Sequence, residues 1–220
     1  MKKATKVVAG HSDYFTGYFI FLITLTSFCL MVPKSDGFLP INQFHCKISD
    51  NFFILFTNLG DGLFAIAIML FMLIRRRIGW SLQIAVSFLI TGLIVQVVKR
   101  MFHMPRPQLY FPSHTIHLIH GITGTGHSSF PSGHTATIFA LVTLLAFYFP
   151  GRKQAVLFVL LAALTGFSRI YLSQHFPVDV LVGSAIGVMV STLTFLWVPL
   201  ESFKKKFVDS ETAQRSAKWD

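Results

Sequence analysis

Apolar residues in this chain fall into six long blocks separated by shorter polar stretches. Each block has about the length of helix that crosses a hydrocarbon core of ~30 Å. The pattern therefore predicts an all-α integral membrane protein, a six-transmembrane-helix bundle in one domain of residues 1–200 with a charged tail at 201–220. The blocks cover about residues 14–32, 52–74, 80–98, 133–149, 154–171 and 178–198.

Two of these blocks need interpretation. The first follows Lys2, Lys3 and Lys6, as in a signal peptide, but a turn at 33–37 stands where a cleavage site would be, so a retained helix is predicted. The second contains Asp61 and is predicted to be one helix, because half of it would be too short to span. Asp61 either faces the bundle and bonds to a neighbouring helix or has a function, since a carboxylate is costly in a membrane.

Composition supports a membrane protein and argues against nucleic acid as a partner. The chain is 53% hydrophobic and 13% charged, with a mean hydropathy of +0.61; soluble domains carry about 25% charged residues. The net charge of +10 does not form one basic face, because the basic residues lie between the apolar blocks. Cys29 and Cys46 lack metal or redox spacing, and no disulfide is expected.

The basic residues also predict the orientation. Six spans place both termini on one side, and the short basic segments at 2–6, 75–77, 152–153 and 204–206 all fall on that side. The positive-inside rule makes it cytoplasmic. The connections at 33–51, 99–130 and 172–177 then lie outside.

Three polar clusters fall on this outer side, and the central one is Pro131-Ser132-Gly133-His134. Ser132 is a good N-cap for the apolar helix that follows. The free N–H groups and dipole of a helix N-terminus bind phosphate, and Gly133 lets an anion approach the backbone. An ordinary capped helix beside a surface His134 would give the same four residues.

The other two clusters add cations, a second histidine and a carboxylate. Lys99 and Arg106-Pro107 suit phosphate oxygens, although basic residues at span ends can also be lipid anchors. Arg169 precedes His175 and Asp179, and Pro177 suits the first turn of a helix. Asp179 can then reach back towards His175, either to orient an imidazole nucleophile or only to cap the helix.

Taken together, the three clusters resemble the three motifs of the PAP2 (type 2 phosphatidic acid phosphatase) superfamily. Their patterns are Lys-x6-Arg-Pro, Pro-Ser-Gly-His and Ser-Arg-x5-His-x3-Asp, and the last pattern begins at Ser168. The resemblance covers about residues 52–198 and is closest to the bacterial lipid phosphatases. It therefore implies a bacterial inner membrane, with the outer side at the periplasm. It implies that His175 is a nucleophile forming a phosphohistidine, Asp179 orients it, and His134 is the general acid. It also implies that the phosphate is held by Lys99, Arg106, Ser132, Gly133 and Arg169.

The resemblance implies a metal-independent phosphatase without a cofactor, acting on a membrane lipid phosphate such as undecaprenyl diphosphate, phosphatidylglycerol phosphate, phosphatidic acid or lipid A. A phosphotransferase between lipids and a non-enzymatic anion-binding or transport protein stay open as alternatives. Further histidines match no motif, and solvent exposure is the expectation for them rather than metal binding. They are His103, His114, His117, His120 and His127.

Overall fold

The computed structural model describes residues 2–119 and 126–198. The predicted tail at 201–220, the domain boundary at 200 and His120 lie outside these residues. The described residues form helices, turns and loops, with no strand among them. The helices are α1 (Lys2–Gly10), α2 (Ser12–Met31), α3 (Lys34–Gln43), α4 (Lys47–Phe56), α5 (Gly62–Ile74), α6 (Ile78–Phe102), α7 (Pro107–Tyr110), α8 (Gly133–Tyr148), α9 (Arg152–Tyr171) and α10 (Pro177–Trp197).

Within the described residues, four stretches are long and apolar enough to cross a membrane: α2, Ile78–Tyr110 with α6 at its start, α9 and α10. The bent pair of α4 and α5 makes a fifth if it is one span. Helix α8 has 16 residues, about 24 Å at 1.5 Å per residue, which is shorter than the hydrocarbon core. The protein is an all-helical integral membrane protein, and the count of six spans stays a prediction.

The second apolar block is not one helix, so the prediction of a continuous helix over 52–74 is wrong. Helix α4 already begins at Lys47, a 3₁₀ turn covers Thr57–Gly60, and α5 begins at Gly62 at an angle of 53°. Asp61 has an extended conformation and its carboxylate accepts a hydrogen bond of 2.9 Å from the Leu63 N–H. Asp61 therefore starts a new helix as its N-cap. The predicted polar connection at 33–51 likewise contains α3.

Helix α8 is the centre of the bundle, with twelve of its sixteen residues buried. It packs against α6, α9 and most extensively α10. The approach of α10 is close because glycines face α8: a Cβ on Gly183 would lie 2.6 Å from the Ser132 carbonyl oxygen, and one on Gly187 2.4 Å from that of Ala136. Small residues four apart allow this kind of backbone contact between membrane helices.

Aromatic packing brings a basic segment to the end of the bundle at which α8 finishes. Trp80 stacks on Tyr148 at the carboxyl end of α8, with ring centroids 4.3 Å apart, and the Arg77 guanidinium lies 5.2 Å from the Trp80 ring. The basic turn at 75–77 and the start of α9 at Arg152 are therefore at the end of the bundle opposite Ser132. These two basic segments are therefore separated from the motif residues, as the orientation prediction requires, and the orientation itself stays a prediction.

Candidate active site

The three sequence clusters meet at the amino end of α8. The backbone N–H of Ser132 donates to the carbonyl of Asp179 at 3.0 Å, which joins the start of α8 to the start of α10. Lys99, in the last turn of α6, donates to the Ser128 carbonyl at 2.6 Å. Arg106 donates to Gln174 Oε1 at 2.7 Å. These contacts bring residues separated by up to eighty positions to one end of the bundle.

His175 and Asp179 form a buried pair in which each side chain is at most 3% exposed. The Nδ1 of His175 lies 3.4 Å from Asp179 Oδ2, within range for charge attraction but without the geometry of a hydrogen bond. The same oxygen accepts from the Phe176 N–H at 2.9 Å. The capping interaction predicted for Asp179 is thus present, and it holds the carboxylate beside the imidazole.

Burial lowers the pKa of His175 to about 4, and the positive charges of Arg169 and Lys99 act in the same direction. Asp179 opposes this effect, but burial is the larger influence. His175 is therefore a neutral imidazole at pH 7. With Nδ1 towards Asp179, Nε2 is the ring nitrogen left for a ligand or substrate.

Arg169 and Arg106 share one acceptor. Gln174 Oε1 lies 2.7 Å from Arg106 Nη1 and 3.4 Å from Arg169 Nη2, while Arg169 Nη1 donates to Thr57 at 2.8 Å. The Nε of each arginine is buried and has no hydrogen-bond partner among the described residues. Both guanidinium groups therefore retain donors that can bind the oxygens of an anion.

Ser132 and Gly133 form the start of α8. Ser132 is fully buried, and its Oγ accepts hydrogen bonds from the Thr135 hydroxyl at 2.8 Å and the Thr135 N–H at 3.4 Å. The nearest atom to a Cβ on Gly133 would be Val95 Cγ1 at 3.7 Å, an ordinary contact. Protein neighbours therefore do not require a glycine here, and the space at Gly133 suits an approaching ligand.

His134 lies on the wall of a pocket of about 220 Å³ between α5, α6 and α8. It interacts electrostatically with His175, Lys99, Arg106 and Arg169, which places it at the same site. Gly60, in the turn before α5, packs so closely that a Cβ there would lie 2.8 Å from both the Cβ and the carbonyl oxygen of His134. The break between α4 and α5 thus lets the backbone pack against this histidine.

Several described side chains contact the predicted site residues although the sequence does not predict them. They include Thr57, Ser129, Thr135 and Gln174. Ser129 Oγ donates to Asp179 Oδ2 at 2.5 Å. Gln174 directly precedes His175 and Ser129 lies two residues before Pro131, but nearness in sequence alone does not distinguish them from Ser128 or Ser173. Thr57 contacts Arg169 across more than a hundred residues, and only the tertiary structure reveals this.

The sequence of this chain is similar to those of known proteins. The sequence profile described as "PAP2 superfamily" matches residues 80–202, more than half of the chain. The undecaprenyl-diphosphatase BcrC of Bacillus subtilis is 35% identical over 121 residues, covering 54% of this chain and 58% of that protein. A lipid A 1-phosphatase of Rhizobium johnstonii is 34% identical over 120 residues, covering 53% and 46%. The chain thus spans about half the length of the curated relatives it matches.

Two solved structures have the same fold. The crystal structure of LpxE from Aquifex aeolicus superimposes with a TM-score of 0.64 at 28% identity, covering 73% of this chain and 93% of that one. A PAP2-type phosphatidylglycerolphosphate phosphatase from Bacillus subtilis gives a TM-score of 0.61 at 20% identity, covering 94% and 98%, and at that identity it supports the fold alone. The profile match over residues 80–202, which contain all three motifs, shows that this chain belongs to the PAP2 superfamily.

Proposed function

We propose that this protein is a lipid phosphate phosphatase that removes a phosphate group from a membrane lipid through a phosphohistidine at His175, without metal or cofactor. The observation that carries the proposal is the charge at the amino end of α8. Lys99, Arg106 and Arg169 all act electrostatically on His134, and Arg169 is only 7% exposed. Among the described residues, Asp179 is the carboxylate that contacts His175. Asp61 lies near Arg169 but is occupied as a helix cap. A phosphate dianion would balance the remaining positive charge.

Phosphate binding would use donors that are already in place. Lys99, Arg106 and Arg169 would neutralise the phosphate oxygens, and the two unpartnered arginine Nε groups would donate to them. The free N–H groups at the start of α8, beside Ser132 and Gly133, would bind another oxygen. Such a preorganised set of donors stabilises the charge that develops during phosphoryl transfer.

The chemistry would proceed in two steps. His175 Nε2 attacks phosphorus with its lone pair, the ester P–O bond breaks, and His134, in the imidazolium form that the bound phosphate dianion stabilises, gives a proton to the leaving oxygen. Water then attacks phosphorus, His134 takes up its proton, and the P–N bond breaks to release inorganic phosphate and neutral His175. Asp179 stabilises the positive charge on the imidazole while it carries phosphate. No metal is required, because cationic side chains supply the neutralisation.

The pocket beside His134 suggests how a lipid would be bound. Its walls include Gly133 and His134, where the phosphate would bind. Phe88 and Val95 of α6 form an apolar part of the same wall. Phe88 and Thr137 also line a narrower cavity that continues along α8 towards Leu144. A phosphorylated headgroup would lie at the amino end of α8, with its apolar chain along α5 and α6. Undecaprenyl diphosphate, phosphatidylglycerol phosphate, phosphatidic acid and lipid A fit this description.

We also propose that the site faces the periplasm of a bacterial inner membrane, with both termini in the cytoplasm. The support is the positive-inside rule together with the position of Arg75–Arg77 at the end of the bundle opposite Ser132. Cysteine substitution at His114, an exposed loop residue, and at Arg76 tests this in protein whose own Cys29 and Cys46 are replaced by serine. In intact cells a membrane-impermeant maleimide should label the former and not the latter, and the reverse would overturn the orientation.

The catalytic proposal is tested by phosphate release from purified protein in detergent. The panel contains the four lipid classes above and a water-soluble phosphomonoester, with EDTA present. We expect release from at least one lipid, and a loss of about a thousandfold or more in His175→Ala. His114→Ala is the matched control, because it removes an exposed histidine, and it should retain full activity.

Other outcomes distinguish the alternatives. A phosphotransferase would form phosphohistidine but release phosphate only when an acceptor lipid is added. An anion transporter would carry phosphate across vesicles and keep doing so in His175→Ala. Acid-labile phosphate retained on the protein after rapid quenching is expected in the wild type and absent in the variant. Equal turnover by both proteins would disprove the mechanism.

A further inference from the structure

A second cluster of polar side chains lies outside the three motifs, where the α3–α4 segment meets the loop before residue 120. It consists of His45, Asp50 and His117, and one ligand atom from each lies within 4.8 Å of the others. His117 Nε2 is 3.1 Å from Asp50 Oδ2. The His45 and His117 rings are parallel, with centroids 3.7 Å apart. Two imidazoles and a carboxylate are typical ligands of Zn²⁺ and related ions.

The side chains of this cluster are held in position by neighbouring groups. The Tyr171 hydroxyl donates to Asp50 Oδ1 at 2.5 Å, which leaves Oδ2 facing His117. Asn42 binds the His117 backbone twice, accepting from its N–H at 2.7 Å and donating to its carbonyl at 3.0 Å. Metal-binding carboxylates are commonly oriented by such hydrogen bonds. Two of the three candidate ligands are therefore fixed before an ion binds.

The distances suit a small divalent ion. Bonds of about 2.0–2.2 Å in a tetrahedral arrangement separate the ligand atoms by roughly 3.3–3.6 Å, close to the 3.1 Å between His117 and Asp50. Parallel rings do not direct their lone pairs to one point, so His45 must turn for all three to bind. His45 is exposed, so its ring can leave the stack with His117 and turn towards the other two ligands. Water would complete the coordination.

We propose that His45, Asp50 and His117 bind a divalent transition-metal ion, with Zn²⁺ as the natural candidate. The site goes beyond the phosphatase function and shares no residue with it. Its position gives it a structural role, because His45 and Asp50 belong to the α3–α4 segment whereas His117 belongs to the loop. The Ser173 hydroxyl donates to the His117 carbonyl at 3.0 Å. Ser173 lies two residues before His175 in the chain. A bound ion would therefore fasten the loop beside the active site.

Metal binding is measured on protein without a polyhistidine tag, by equilibrium dialysis against Zn²⁺ and by the visible absorption of bound Co²⁺. We expect one ion per chain and a thermal midpoint raised by a few degrees. His117→Ala and Asp50→Asn should each weaken binding at least tenfold. His114→Ala, in the same loop but outside the cluster, should bind as the wild type does.

Catalysis and metal binding are separated by the His175→Ala variant, which should bind Zn²⁺ with unchanged affinity even if it is inactive. The His117→Ala variant should still release phosphate, which shows that it is folded. Absence of a stoichiometric site in the wild type overturns the proposal. So does Zn²⁺ binding that is equally strong in His117→Ala and Asp50→Asn.

Discussion

Ser129 donates a hydrogen bond of 2.5 Å to Oδ2 of Asp179, the same carboxylate oxygen that faces His175. A hydrogen bond to a charged group contributes about 1.5–3 kcal/mol. Ser129 thus helps to hold the carboxylate in the position from which it orients the imidazole. Ser129 is a positioning residue, because it acts on the reaction only through Asp179.

Ser129→Ala should lower kcat by about ten- to a hundredfold with little change in KM, since a tenfold change in rate corresponds to about 1.4 kcal/mol. Ser129→Thr keeps a hydroxyl and should restore most of the activity. Steady-state kinetics on the best lipid substrate measure both parameters. If Ser129→Ala changed KM alone, the hydroxyl would act on phosphate binding and not on Asp179.

Gln174 bridges Arg106 and Arg169 through one side-chain oxygen. Gln174→Glu places a negative charge between the two guanidinium groups and should weaken phosphate binding about tenfold, because each arginine then has an ionic partner of its own. The inhibition constant of inorganic phosphate measures the effect. Gln174→Met removes the acceptor without adding a charge and should weaken binding less. Equal inhibition of all three proteins would exclude a role for Gln174 in arranging the arginines.

The lowered pKa of His175, about 4, predicts the pH dependence of activity. The nucleophile is neutral above that pKa, so the acidic fall in kcat/KM assigned to His175 should be centred near pH 4 and not near 6.5. Profiles between pH 3.5 and 8 with a short-chain substrate would test this. A fall centred near pH 6.5 would mean that His175 is solvated in the free enzyme.

The same pKa makes stability depend on pH. The unfolded chain binds a proton at His175 near pH 6.5, whereas the folded chain binds it only near pH 4, so stability decreases as the pH falls through this window. At about 1.4 kcal/mol per pKa unit the loss amounts to roughly 3 kcal/mol. The thermal midpoint should therefore fall from pH 7 to pH 4.5, and by less in His175→Asn. An identical fall in both proteins would assign the effect to other groups.

The sequence predicts which residues carry the chemistry better than it predicts how the helices are arranged around those residues. Apolar blocks predict helix positions within a few residues for α2, α8, α9 and α10, because burial and bilayer length act on whole segments. The break at Asp61 is not predicted, because the length needed to span a membrane favours one helix, and two shorter helices joined by a 3₁₀ turn cover the same residues. Contacts such as Thr57 with Arg169 depend on how helices pack, which no local pattern contains.

Asp61 now has a defined structural role, since its carboxylate caps α5. Asp61→Asn keeps a good N-cap and should leave the thermal midpoint nearly unchanged, whereas Asp61→Ala should cost about 1 kcal/mol. Thermal unfolding in detergent compares the two. Asp61 also lies close enough to interact with Arg169, so phosphate inhibition should strengthen in Asp61→Asn. If Asn left both stability and phosphate binding unchanged, only the cap would remain as its role.

Gly187 allows the closest contact between α10 and α8. A Cβ there would lie 2.4 Å from the Ala136 carbonyl oxygen and 2.9 Å from the Ala140 nitrogen, and neither backbone atom can move without shifting α8. Gly187→Ala should therefore destabilise the protein by about 2 kcal/mol or more. Gly92→Ala is the matched control, because a Cβ at this α6 position meets nothing within 4 Å. The thermal midpoint of Gly92→Ala should equal or exceed that of the wild type.

Because α8 carries Ser132 and His134 at its amino end, Gly187→Ala should also reduce turnover. Full stability in Gly187→Ala would mean that α8 and α10 do not approach each other closely at Gly187.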